Sequence, residues 1–286
     1  MASGYFEYLR DLLIERSGLV LTPDKSYLIE TRLMPVALSM GYQNIEEMVQ
    51  VLKSSRNETL VTAICEAMNT HESLFFRDQV PFDLFKTLIL PQLLKRRADK
   101  RHFRIWCAAC STGQEPYSLA MVLKAATAKL KGWKTEIIAT DISHSVLARA
   151  RKGLFSQFEI QRGLPVQMLV KHFSHIGEHW QLNQDIRDMV DFRHYNLLTE
   201  PKLLGMFDMI LCRNVLIYFN VETKTQVLSS IGSVLRDDGV LFLGSAESTM
   251  GLTDKLWPVE AGCGVYRHSH ITSCIADALE TKHFGA

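Results

Sequence analysis

The sequence predicts an α/β protein: a doubly wound, Rossmann-like sheet with a small antiparallel β insert, preceded by an all-α N-terminal domain. Three observations carry that prediction. The stretch Phe103–Met121, F-R-I-W-C-A-A-C-S-T-G-Q-E-P-Y-S-L-A-M, runs from an apolar strand through small residues into a helix start at Glu115-Pro116. Proline tolerates the first helical position and an acid suits the positive end of the helix dipole. Strand, small-residue turn and helix N-terminus together form the nucleotide-binding corner of such a fold. Downstream, apolar strands continue the sheet. Upstream, the chain shows only helical periodicity.

The bounds agree with a soluble, cytoplasmic, two-domain chain. It has 286 residues, 47% apolar and 22% charged, enough to bury a real core. A net charge of +1 provides no global field for nucleic acid or anionic membrane. The N-terminus has acids where a signal peptide would be basic and then apolar, and Phe207–Phe219 is too short and too charged to span a bilayer. Six scattered cysteines fit reduced thiols. Cys107 and Cys110 make one C-x-x-C, but zinc would need a second matching pair, so no metal is expected.

In order, Phe6, Leu9 and Leu13 mark a first helix stopped by Ser17-Gly18. Thr22-Pro23 starts a second, with Ile29, Leu33 and Val36 on one face. Asn44 and Glu47 form a capping-box pattern for a third, and a fourth runs from about Glu58 to Met68. Residues 1–70 carry six Lys/Arg against nine Asp/Glu, a net of −3. Thr70–Asp78, T-H-E-S-L-F-F-R-D, is a polar turn joined to two aromatics and an arginine; Phe75 and Phe76 suit core packing. A helix over about Pro81–Arg97 ends in Lys95, Arg96, Arg97, Lys100 and Arg101, either a solvated helix end or a docking patch for an acidic partner.

After the opening corner, Glu136–Thr140 is a second strand ending in Asp141, which suits ribose hydroxyls or caps the helix from Ser143. Residues 165–195 break the rhythm. Lys171–Phe173, His179–Leu182 and Met189–Phe192 read as short strands of the antiparallel insert, with a short hairpin tip at Ser174–Glu178. The chain returns to the sheet at Tyr195–Leu198, and Phe207–Cys212 is the fourth core strand. A helix over Val221–Leu235 leads to a turn at Asp238-Gly239. Val240–Leu243 is the next strand and Gly264–Arg267 a last, antiparallel one.

A dinucleotide site would want G-x-G-x-x-G, whereas this turn has one glycine, and Glu115 would repel phosphate. A ligand with a ribose and a cationic amine but no phosphate fits better. S-adenosylmethionine is such a ligand, with Asp141 on its ribose and Glu115 on its ammonium. No Asn/Asp-Pro-Pro-Tyr follows the fourth strand, which argues against methylation of planar nitrogens. An acceptor carboxylate, ionised at neutral pH, needs no base, only alignment and exclusion of water. Arg77 and Tyr218 are the candidates to steer it.

Five blocks in this order then resemble the CheR-type chemotaxis receptor methyltransferases over residues 5–268. They are S-L-F-F-R-D (73–78), S-T-G-Q-E-P-Y-S (111–118), T-D-I-S (140–143), F-D-M-I-L-C-R-N-V-L-I-Y-F (207–219) and D-G-V-L-F-L-G-S-A-E-S (238–248). The resemblance implies a helical N-terminal domain (1–72) and an S-adenosylmethionine-dependent methyltransferase domain (73–268) with its β-subdomain insert at about 165–195. A tail (269–286) stays unassigned. It implies protein-glutamate O-methylation on cytoplasmic helices of chemoreceptors, giving γ-methyl esters and S-adenosylhomocysteine.

Carried over by position, Glu115 meets the methionine amino group and Asp141 the ribose. Asn196 and Leu197 lie on the adenine side, and Arg213 and Asn214 line the reacting end. Arg77 orients cofactor and acceptor carboxylate, and Tyr218 stands beside the methyl group. Many members have Asn-x-Thr where this chain has His71 and Ser73. Ser73 keeps a hydroxyl for the cofactor; His71 is a cofactor contact or a loop histidine facing water. Tyr218 closing a sheet edge and Arg213 as a structural ion-pair partner are the plainer readings. Members dock substrate with a basic N-terminal face, which Arg10, Lys25 and Arg32 could share. The rival functions are methylation of a non-chemotaxis signalling protein, or a cofactor-binding regulatory module without catalysis. Retention of Arg77 and Tyr218 argues against the second.

Overall fold

The structure, a computed structural model, describes residues 3–55, 57–260, 263–271 and 275; most of the stretch from 269 onward therefore lies outside the described residues. The chain forms two compact units, Met1–Thr70 with Tyr218–Lys224, and His71–Ile217 with the chain from Thr225 on.

In the first unit, helices Ser3–Ser17, Tyr27–Ser39, Ile45–Ser54 and Glu58–Met68 close over Leu9, Leu13, Ile29, Leu33, Met48, Leu60 and Ile64, all fully buried. Each such side chain contributes about 1.5–3 kcal/mol by leaving water. Thr22-Pro23 opens only a 3-10 turn, Pro23–Lys25, and the second helix starts at Tyr27. Its inner face buries Ile29, Leu33 and Ala37, with Val36 partly buried against the same core. Asn44 Oδ1 accepts the Glu47 N–H at 2.8 Å, and the Glu47 carboxylate reaches back one residue further than a capping box, to the Gln43 N–H at 2.7 Å. Arg32 is turned to the C-terminus of Glu58–Met68, donating to the Met68 carbonyl at 2.6 Å, and Arg10 pairs with Asp11. Arg32 therefore serves the helix end rather than a shared basic face. The segment 218–224 joins this unit through the Val20 N–H, which donates to the Tyr218 carbonyl at 2.9 Å.

The second unit is built on a seven-stranded sheet. Its strands are β1 (His102–Ala108), β2 (Lys134–Asp141), β6 (Val190–His194), β7 (Phe207–Cys212), β8 (Leu235–Leu243), β9 (Leu256–Pro258) and β10 (Val265–His268), in the order β6-β2-β1-β7-β8-β10-β9. The first five are parallel, while β10 runs antiparallel to both β8 and β9. The order reverses between β1 and β7, the switch point at which open α/β sheets bind ligands beyond their carboxyl ends. Trp106 on β1 fixes this region, stacked on Phe207 at 5.5 Å with its indole N–H donating to Thr140 Oγ1 at 2.9 Å.

A second, antiparallel sheet, β3 (Leu154–Ser156), β4 (Phe173–Ile176) and β5 (His179–Leu182), has the order β3-β5-β4. Two expectations are corrected here. The Met189–Phe192 segment belongs to β6 of the main sheet, so the chain returns before Tyr195, and Tyr195–Leu198 is the loop that follows. The third insert strand is Leu154–Ser156, upstream of residue 165, while Lys171-His172 ends the helix Val166–His172. The Asp238-Gly239 turn lies inside β8, where the register against β7 shifts between Phe207 and Met209.

The expected helix over 81–97 is Val80–Leu84 and Leu90–Arg96 joined through one π-helical turn, Phe85–Ile89. Its basic end is structural in part: Arg97 Nε donates to Asp208 at 2.7 Å, and the same guanidinium pairs with Asp238. Asp208 is buried and also accepts the Arg104 N–H at 2.8 Å. Arg97 is thus engaged within the fold, while Lys95, Lys100 and Arg101 are exposed.

Candidate active site

The loops that follow β1, β2, β6, β7 and β8 leave the sheet at one end because those strands are parallel. Asp141 closes β2. Burial pushes its carboxyl up, opposed by backbone N–H groups of Ser143 and Ser111 and by nearby His71. Oδ1 accepts from Ser143 at 3.0 Å and Oδ2 from Ser111 at 2.8 Å. Ser143 itself caps the helix His144–Lys152. Asp141 thus ties the β2 loop to the small-residue loop after β1. His71 is joined to the same loop, its carbonyl accepting from Ser111 Oγ at 2.9 Å.

Glu115 stands in the first turn of the helix Gln114–Ala125, entered through Gly113 in the left-handed region, φ +93. Burial raises its carboxyl pKa and the Arg213 guanidinium pulls it back. Arg213 follows β7 and its side chain is 1% exposed, with Nη1 on Glu115 Oε2 at 2.7 Å and Nη2 on Asp78 Oδ2 at 2.6 Å. The plainer expectation for Arg213, an ion-pair partner, describes these contacts. Its Nε is buried without a partner.

Arg77 lies in the loop between them. The Phe76 N–H donates to Ser118 Oγ at 3.0 Å, and the Arg77 carbonyl accepts from Arg213 at 3.0 Å. The Arg77 side chain is close enough to Glu115 to lower its pKa. Phe75 is fully buried, edge-on to Phe155 of β3 at 5.0 Å and Phe173 of β4 at 5.7 Å. The small sheet therefore carries the Phe-Phe-Arg loop. Ser73 is half-buried in that loop.

Backbone strain gathers in the same place. Among the described residues, Phe76, Asp78, Gln79, Ala109, Ser111 and Asn214 hold φ between +45 and +64, and outside these loops only Arg101 among non-glycines does so. Such conformations cost about 1–3 kcal/mol each and persist where surrounding contacts enforce them. For Asn214 that contact is Glu247, whose carboxylate takes backbone N–H groups from Asn214, Val215, Ile217 and Gly244. Asn196 and Leu197 are half-buried in the loop after β6, where Asn196 Oδ1 accepts the Leu198 N–H at 3.0 Å. Tyr218 ends the 3-10 turn Leu216–Tyr218 and is counted with the first unit.

The structure therefore brings together Glu115, Asp141, Arg77, His71 and Arg213 in the second unit. Sequence reasoning missed Asp78, Ser118 and Glu247 as supports. The S-L-F-F-R-D, S-T-G-Q-E-P-Y-S and G-S-A-E-S blocks contain Asp78, Ser118 and Glu247, but their partners lie in other blocks. Two acids without a glycine cradle suit a cationic ribose ligand better than a pyrophosphate. The buried Cys107, Cys110 and Cys212 thiols are pushed well up by burial, which leaves them inert rather than nucleophilic.

Comparison with known proteins agrees with this chemistry. The family described as "CheR methyltransferase, all-alpha domain" matches residues 5–68, and "CheR methyltransferase, SAM binding domain" matches residues 71–265. Chemotaxis protein methyltransferase 1 of Pseudomonas aeruginosa is 39% identical over 269 residues, 92% of this chain and 97% of the relative. Chemotaxis protein methyltransferase 1 of Vibrio cholerae is 37% identical over 91% of this chain and 94% of its own. The Escherichia coli chemotaxis protein methyltransferase is 32% identical over 87% of this chain and 85% of its own. With both domains matched in order, the chain belongs to the CheR methyltransferase family and is an S-adenosylmethionine-dependent methyltransferase.

Proposed function

We propose that the protein methylates glutamate side chains on the cytoplasmic helices of chemoreceptors, forming γ-methyl esters in chemotactic adaptation. The observation that carries this reading is that Glu115 and Asp141 stand in one cluster of loops with Arg77, whose guanidinium makes no hydrogen bond or ion pair among the described residues. When bound, S-adenosylmethionine supplies a methyl group on a sulfonium, electrophilic enough for an anionic oxygen to displace the thioether.

The chain's own part is to hold and align. Glu115 takes the ammonium and Asp141 the ribose. Asn196 and Leu197 flank the adenine, His71, Ser73 and Asn214 complete the cofactor contacts, and Arg213 acts from behind them by holding Glu115. The Arg77 fork suits a carboxylate and keeps it ionised. Tyr218 is the second steering group. A glutamate carboxyl, with an unperturbed pKa of about 4.3, arrives already deprotonated, so no general base is required. What remains is near-attack alignment and exclusion of water. No helix among the described residues is long and apolar enough to cross a membrane, and we place the protein in the cytoplasm, where the receptor helices are.

Methyl transfer from labelled S-adenosylmethionine to receptor-bearing membranes tests the reading. Label released by mild alkali supports a carboxyl ester; alkali-stable label would indicate N-methylation and overturn it.

A further inference from the structure

Two carboxylates share the Arg213 guanidinium. Nη1 donates to Glu115 Oε2 at 2.7 Å, while Nη2 donates to Asp78 Oδ2 at 2.6 Å and to the Arg77 carbonyl at 3.0 Å. The Arg213 side chain is 1% exposed, that of Glu115 14% and that of Asp78 42%. One cation between two anions gives these three groups a net charge of −1, and the two further charges that act on Glu115, Arg77 and Glu247, are of opposite sign and leave that sum unchanged. A lone Arg213–Glu115 pair would be neutral and would attract a cation weakly, because the two fields cancel within a few ångströms.

We propose that Asp78 is a positioning residue for the charged end of the cofactor: it neutralises Arg213, so that the Glu115 carboxylate keeps a net negative charge for the ammonium. The inference deepens the proposed function and rests on its reading of Glu115. The loop is built to deliver this carboxylate. Asp78 holds φ +64, a conformation that aspartate adopts more readily than most residues. Ser118 Oγ accepts the Phe76 N–H at 3.0 Å from the helix that carries Glu115. The backbone on either side of Arg77 is thus anchored, by Ser118 before it and by Arg213 after it. At 42% exposure, Asp78 can be exchanged for asparagine without opening a cavity. The geometry of the loop and its charge are therefore separable.

Calorimetry on the full chain with two ligands makes the test. S-adenosylmethionine carries an ammonium and a sulfonium, whereas 5′-methylthioadenosine has the same nucleoside and neither charge. At low salt, Asp78→Asn is expected to weaken S-adenosylmethionine about tenfold and 5′-methylthioadenosine less than about twofold, and Asp78→Glu to stay within about threefold of wild type for both. Equal losses for the two ligands would make Asp78 a packing element, and an unchanged S-adenosylmethionine affinity in Asp78→Asn would remove the proposal outright. Glu115→Gln separates the two levels of the argument. If it also leaves S-adenosylmethionine affinity unchanged, the ammonium reading of Glu115 falls and this proposal with it. If Glu115→Gln loses affinity while Asp78→Asn does not, the proposal alone fails.

Discussion

The Glu247 carboxylate accepts the backbone N–H of Asn214 at 2.8 Å, and the same oxygen accepts that of Gly244 at 2.7 Å. The other oxygen takes Val215 at 2.9 Å and Ile217 at 3.3 Å. One side chain therefore fixes the loop after β7, including Asn214 at φ +58. Glu247→Ala strands these donors in a buried setting and is expected to cost about 2–4 kcal/mol. Denaturant unfolding measures this directly. Glu247→Gln should lose much of the same, because its amide NH₂ meets N–H donors. A midpoint unchanged in both variants would show that solvent satisfies the loop.

Burial lifts the carboxyls of Glu115 and Asp141 above their ordinary values of 4.5 and 3.8. Cofactor affinity is expected to be flat while both are ionised and to fall as pH drops through the raised values, sooner than ordinary carboxylates would allow. Stability of the unliganded protein follows the opposite sign. An acid whose folded pKa exceeds its unfolded value binds more protons when folded, so between the two values these groups favour folding increasingly as pH falls. Calorimetry with S-adenosylhomocysteine across mildly acidic pH checks the first statement. Affinity that holds constant down to the range of exposed carboxylates would refute it.

Gly163 stands at φ +93, and a Cβ built there would lie 2.1 Å from the Phe75 carbonyl oxygen. Backbone meets backbone at this point, so neither side can turn away. Gly163→Ala is expected to displace the Phe-Phe-Arg loop, to cost about 2–4 kcal/mol and to weaken cofactor binding along with stability. Hydrogen exchange over residues 72–79 reads out the displacement; wild-type protection there would mean that the chain relaxes elsewhere.

Legibility followed the range of the signal. Glu58–Met68 and Phe207–Cys212 stand where the sequence places them, because a cap or turn residue bounds a continuous apolar pattern. The strands Leu154–Ser156 and Leu256–Pro258 are not visible in the sequence: three residues carry no periodicity, and for the first the pairing partner, Trp180 for Phe155, is distant. Met189–Phe192 reads as part of the insert because β6, an edge strand of a parallel sheet, alternates buried Val190 and Phe192 with exposed Asp191 and Arg193, as an antiparallel one would. In the site, Glu115 and Asp141 were legible from their positions after strands. Asp78 was not, since its meaning depends on Arg213, 135 residues away.

Asp141 and Tyr218 should separate binding from turnover. Asp141 is buried, and both its oxygens already accept backbone N–H groups, so its removal frees two loops and also deletes the proposed ribose acceptor. Asp141→Ala is expected to weaken S-adenosylhomocysteine by about tenfold or more, at about 1.5–3 kcal/mol for a charge-assisted hydrogen bond. Tyr218 joins the first unit by its backbone, its carbonyl accepting the Val20 N–H, and that bond survives loss of the hydroxyl. Tyr218→Phe is therefore expected to keep cofactor affinity within about twofold while turnover falls about 10²-fold, the size of a lost positioning group in the transition state. Calorimetry and initial rates on the same preparations give both numbers. Equal cofactor affinity in wild type and Asp141→Ala would leave Asp141 as a loop anchor, and undiminished turnover in Tyr218→Phe would leave Arg77 alone to steer the acceptor.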